Sequence, residues 1–147
     1  MNTGSLSARL AQLGPNVGGL SYAGDTRPPT ASGLMIRETL AEKCCRFLLI
    51  QAEASGQLVC RWRDKTRDQD DNQMKALGII SLPIHLKLVN TGKEIQVFTS
   101  TDGINWGDPR FTHTAAFHAD SRIGMFVCSG NTFASTTAVY DSVTAMK

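Results

Sequence analysis

Between residues 83 and 100 the side chains change character at almost every step. In PIHLKLVN (83–90), Ile84, Leu86 and Leu88 alternate with His85 and Lys87; in EIQVFTS (94–100), Ile95 and Val97 alternate with Gln96 and Phe98. A period of two puts successive side chains on opposite faces of an extended strand, so each segment reads as a strand with one face in a core. TGK (91–93) between them reads as a tight turn, and the pair reads as an antiparallel hairpin. Any fold for this chain must supply an interior to one side of that hairpin and not to the other.

The same period recurs elsewhere. SLSARLAQL (5–13) sets Leu6, Ala8 and Leu10 against Ser7 and Arg9 and reads as a strand, with an amphipathic helix as the alternative. Residues 14–33, dense in Gly, Pro, Asn and Ser, read as a long loop, GLMIRET (33–39) as a short strand and LAEK (40–43) as a turn. CRFLLIQAE (45–53) has the apolar run of a central strand, EASGQ reverses it, and LVCRWRD (58–64) returns. KTRDQDDNQMK (65–75) is charged and lacks an apolar period, so it reads as an exposed loop; 108–121 reads as mostly irregular. RIGMFVCSG (122–130) and TFASTTAVYDSVTAM (132–146) read as the last two strands. About nine strands, closely spaced turns and no helical period make an all-β chain, a two-sheet antiparallel β-sandwich or a barrel. Its 147 residues suit a single domain over 1–147.

Composition narrows the partners. Lys and Arg number 15 against 13 Asp and Glu, a net charge of +2, which does not argue for nucleic acid. No apolar run approaches the ~18 residues of a membrane span, and MNTGSLSARLAQLG lacks the basic and apolar regions of a secretory signal. Cys44, Cys45, Cys60 and Cys128 are spaced unlike a small disulfide scaffold, and they read as buried or half-buried strand thiols ahead of two disulfides. Adjacent Cys44 and Cys45 point to opposite faces of a strand, which does not suit one zinc ion.

Four blocks fall in a familiar order: SGLMIRETL (32–40), PIHLKLVNTGKEIQVFTSTDGINW (83–106), RIGMFVCSGN (122–131) and TTAVYDSVTAM (136–146). Together they resemble the concanavalin A-like jelly-roll domains of the DUF1349, or regulation-of-enolase-protein-like, type, over nearly the whole chain. The resemblance implies a two-sheet sandwich of the lectin and LamG-like kind, often in secreted or surface bacterial proteins linked to polysaccharides. It implies no defined activity, since jelly rolls host enzymes, lectins and scaffolds alike. The chain departs from the pattern at Ile84-His85, where the family has an aromatic residue, and at Asn90-Thr91, where it has Arg. Family domains also begin with one or two strands ahead of the GSLSARL match. An edge left unpaired there would invite a homo-oligomer or a neighbouring chain.

Ser100, Asp102, Gly103 and Trp106 form S-x-D-G-x-x-W. Asp-Gly is a turn signal, because Gly accepts positive φ and Asp accepts backbone N–H groups, so the stretch reads as structural, with Trp106 capping one end of the core. Arg61 and Arg63 share a strand face opposite Leu58, Cys60 and Trp62, and Arg37 lies on another strand. Three arginines could make a polar groove for hydroxyls and carboxylates, or a solvated face paired with Glu38, Glu53 and Asp64. Asp68, Asp70 and Asp71 offer hard oxygen ligands for calcium, but the loop lacks the Gly and closing Glu of an EF-hand, and a solvated acidic loop is the plainer reading. His85, His113 and His118 follow no metal-ligand spacing, no serine sits in a nucleophile elbow, and the E-x-D-x-x-E strand of laminarinase-like jelly rolls is absent. These features, with the resemblance, set the expectation of a non-catalytic binding module without an obligatory cofactor. Carbohydrate is the first ligand, and Arg37, Arg61, Trp62, Arg63, Gln96 and Phe98 are the contact residues to test. A structural or assembly domain is the alternative, and a jelly-roll hydrolase or lyase the third reading.

Overall fold

The structure, a computed structural model, describes residues 3–15, 17–18, 30–39, 45–65, 72–117, 120–130 and 134–147. Among these residues every regular element is a strand: β1 (Gly4–Leu13), β2 (Val17–Gly18), β3 (Ala31–Arg37), β4 (Phe47–Glu53), β5 (Gln57–Arg63), β6 (Gln73–Ile79), β7 (Ile84–Asn90), β8 (Glu94–Ser100), β9 (Phe111–Thr114), β10 (Arg122–Cys128), β11 (Ala134–Ser135) and β12 (Ala138–Met146). The strands form a two-sheet antiparallel β-sandwich. One sheet has the order β12-β1-β7-β8-β9, the other β10-β3-β4-β5-β6, and β2 pairs with β11.

The alternation seen in the sequence sets the register. Lys87 stands opposite Phe98, His85 opposite Ser100 and Val89 opposite Gln96. On β1, Arg9 pairs with His85 and Ser7 with Lys87. The other residues of these strands turn inward: Leu6, Ala8, Leu10, Ile84, Leu86, Leu88, Ile95 and Val97 meet Leu34, Ile36, Leu48, Ile50, Leu58 and Cys60 from the facing sheet in one buried cluster. Each buried aliphatic side chain contributes about 1.5–3 kcal/mol over leaving it in water, so register and core are one constraint. Ser32 ties the layers at one side. Its Oγ donates to Phe126 O at 2.6 Å on β10 and shares a 2.7 Å hydrogen bond with the Tyr140 hydroxyl on β12.

Several segments differ from the sequence expectation, and β1, beside which an unpaired edge was expected, is paired on both sides, with β12 and with β7. Residues 73–79, placed partly in the 65–75 loop, form β6, and 111–114, within the segment read as irregular, form β9. Both are edge strands. β6 is exposed along nearly its whole length, so selection for burial left no period to read. The 132–146 segment divides into β11 and β12, β3 begins at Ala31 rather than Gly33, and β2 lies within the 14–33 loop. The 40–43 turn lies outside the described residues. Cys45 and Cys60 are buried free thiols, as expected, although Cys45 stands just ahead of β4 rather than in a strand. Cys128, a free thiol on β10, is exposed, against the expectation of a buried or half-buried one, because it faces outward at the end of an edge strand; Cys44 lies outside the described residues.

Candidate functional site

The chain leaves β8 through a tightly knotted turn. Asp102 Oδ1 accepts the backbone N–H groups of Ile104 and Asn105, both at 2.8 Å, and Oδ2 accepts from Asn105 Nδ2 at 2.7 Å. Ser100 Oγ accepts the Gly103 N–H at 2.9 Å. It also stands 2.7 Å from Asn105 O and 2.9 Å from Asp102 Oδ1, and its single proton serves one or the other. The N–H groups of Asn105 and Ile104, then the Asn105 amide and Ser100, hold the Asp102 carboxyl well below the usual carboxylate range. Gly103 has φ +74°, and a Cβ built on it would lie 2.6 Å from His85 Cε1. The turn therefore lies flat against the imidazole on β7, as only glycine allows.

That contact decides where Trp106 goes. Trp106 does not cap the core, as the sequence suggested. It is half-buried on the outer face of the β7–β8 hairpin. Its ring meets the His85 imidazole edge-on, with centroids 6.2 Å apart. The Lys87 ammonium lies 4.3 Å from the Trp106 ring centroid and 4.6 Å from that of Phe98. Both distances are well within the ~6 Å at which a ring face attracts a cation. Burial lowers the Lys87 pKa below its ordinary value. Gln96, on the same face of β8, and Ser7, paired with Lys87 on β1, extend the surface, and Arg9 beyond it binds Asp141 at 2.7 Å. The result is a polar and aromatic platform on the outer face of one sheet.

The residues singled out from the sequence do not converge on one place. Gln96 and Phe98 belong to the platform. Arg37, Arg61 and Arg63 share the outer face of the opposite sheet, as strand parity required: Arg37 and Arg63 flank Phe47 in register, and Arg61 flanks Leu49. That face is not an open arginine groove. Arg63 is buried, donates to Asn72 Oδ1 at 2.8 Å and to Cys45 O at 3.4 Å, and lies over the Phe47 ring. Arg37 donates to Cys45 Sγ at 3.5 Å and lines a shallow depression of about 250 Å³ with Met35, Arg122 and Phe126. Trp62 faces the interior, against the core and 4.9 Å from the Phe111 ring, with His113 at 5.3 Å. It cannot share a surface with Arg61 and Arg63, because neighbouring residues on a strand point opposite ways. Asp68, Asp70, Asp71 and His118 lie outside the described residues. Of the acidic residues expected beside these arginines, Glu38, just past β3, binds Arg46, and Glu53 on β4 accepts from Gln51 at 3.1 Å. Lys87 and His85 were missed as site residues. Their signal was the outward parity of β7 beside the aromatic residue of β8.

Neither a family model nor a curated protein matches the chain. Solved structures do. A functionally unknown protein from Saccharomyces cerevisiae aligns over 98% of this chain and 69% of its own, with a TM-score of 0.66 and 12% identity. Sheep galectin-11, in complex with glycerol, aligns over 99% of this chain and 90% of its own, with a TM-score of 0.51 and 13% identity. The fold is a concanavalin A-like jelly roll, shared with galectin-11.

Proposed function

We propose that this domain is a non-catalytic carbohydrate-recognition module of the DUF1349 type, and that its site is the outer face of the β7–β8 hairpin. One observation carries the reading: Lys87 held between Phe98 and Trp106, with His85 and Gln96 beside it. Sugar sites combine an apolar ring surface for the C–H face of a pyranose with fixed polar groups for its hydroxyls, and this platform has both. The lectin-type fold of the galectin neighbour supports the reading, as does the order of the four sequence blocks. A glycan array on the purified protein tests it. Trp106→Ala and Phe98→Ala abolish the signal, whereas Arg61→Ala/Arg63→Ala, altered on the opposite sheet, retains it. Binding that survives both aromatic substitutions moves the site elsewhere.

A second reading, assembly through a sheet edge, rests on one observation. Met125 and Val127 on β10, and Val139, Val143 and Met146 on β12, are exposed apolar side chains on the two edge strands at the side where Ser32 meets Tyr140. Mass in solution tests it, since a monomer at all concentrations rules out self-assembly there.

A further inference from the structure

We propose that the platform selects an acidic sugar, with a hexuronate carboxylate seated on the Lys87 ammonium. The inference deepens the carbohydrate reading and rests on it. Lys87 projects from β7, the middle strand of its five-stranded sheet. Its ammonium lies against the two rings, and among the described residues its side chain forms no hydrogen bond or ion pair. Ring faces attract the cation but do not neutralise it, and they accept none of its three N–H donors as a carboxylate oxygen would.

Among the described residues no carboxylate forms an ion pair with Lys87. Asp141 is bound to Arg9. Both oxygens of Asp102 are taken by the turn that it closes. Glu94 lies four residues from Phe98 along β8, about 14 Å at the ~3.4 Å rise of a strand. A ligand that covers Trp106 must strip water from Lys87, because the ammonium lies against that ring. A neutral sugar leaves the desolvated charge uncompensated, which is costly. A carboxylate replaces the lost water with a charge-assisted bond and so turns the same desolvation into selectivity. His85, Gln96 and Ser7 surround this point with polar groups suited to hydroxyls.

The test uses polygalacturonate and its carboxyl-reduced counterpart, which share one backbone and differ in the acid. Calorimetric titration should give the polyuronate an affinity at least about tenfold higher. Lys87→Met should erase that difference by weakening only the acidic polymer, and Lys87→Arg should keep it. Circular dichroism of each variant confirms that it is folded. Equal affinities for the unaltered protein, or a difference that persists in Lys87→Met, overturn the proposal. Binding of the neutral polymer or other neutral glycans alone also overturns it, while the recognition reading stands. No binding to either polymer or to any glycan on the array removes both.

Discussion

Gly103 and His85 are in contact across the strand-turn boundary: a Cβ at 103 would stand 2.6 Å from Cε1 of the imidazole and 2.7 Å from Nδ1. The turn is fixed to β7 by the absence of a side chain, and Trp106 follows three residues later.

Gly103→Ala should therefore cost stability twice over. A non-glycine residue at φ +74° costs about 1–2 kcal/mol, and the methyl group must also displace His85. Urea denaturation measures the sum. The double variant Gly103→Ala/His85→Ala should recover the second part and not the first. A Gly103→Ala protein as stable as the parent would show that the turn does not rest on His85.

Asp102 makes the turn acid-sensitive. Its folded pKa is depressed by the N–H groups of Asn105 and Ile104, so the unfolded chain takes up a proton first as the pH falls. The stabilisation is fully present above the unfolded value of about 4 and is lost as the pH drops from there toward the lower folded value. Denaturation midpoints from pH 6 to pH 2 should fall more steeply for the parent than for Asp102→Asn, which has no charge to lose. Parallel curves would show that the carboxylate has no such role.

Trp62 and Trp106 should separate stability from binding. Trp62→Ala empties a place against the core and Phe111 and should cost about 3 kcal/mol, with glycan affinity unchanged in the folded fraction. Trp106→Ala should do the reverse. Denaturation and affinity measured on the same two proteins give the comparison, and a binding loss in Trp62→Ala without a stability loss would reverse the assignment.

The thiols should react in order of exposure. Burial pushes the Cys60 thiol up to about 12, so at neutral pH it is protonated as well as shielded, while Cys128 is open to solvent. Mass mapping after brief iodoacetamide treatment should find Cys128 modified in the native protein and Cys60 only after denaturation. Early labelling of Cys60 would mean that the core opens readily between β4 and β5.

Much of the fold was legible because burial on one side imposes a period of two. Ile84, Leu86, Ile95 and Val97 could be assigned inward from the letters alone, and they face inward. β6 was not legible, because Gln73, Met74 and Lys75 are all exposed and nothing favours one face over the other. The platform was half legible. Phe98 and Gln96 followed from parity, but Trp106 lies in a turn where no period applies, and its direction depends on a contact between Gly103 and a residue eighteen positions earlier. The burial of Arg63 was also hidden, since it depends on Asn72 and on the Cys45 carbonyl across the sheet. Trp62 is the instructive error. Its parity with Leu58 and Cys60 is legible in the sequence and points it inward, against the ligand contact that its aromatic character suggests.

The β7–β8 hairpin thus carries two messages in alternating letters: the even-numbered residues of β7 and the odd-numbered ones of β8 speak to the core, and those between them face the platform. The two can drift independently under substitution, so the outer face can be rewritten on this scaffold without retuning its interior. They cannot survive a shift of frame. A single residue inserted between Ile84 and His85, with Ile84 held in register, would send Lys87 toward the interior and Leu86 toward solvent in one step. In this hairpin, change is cheap by replacement and closed by insertion.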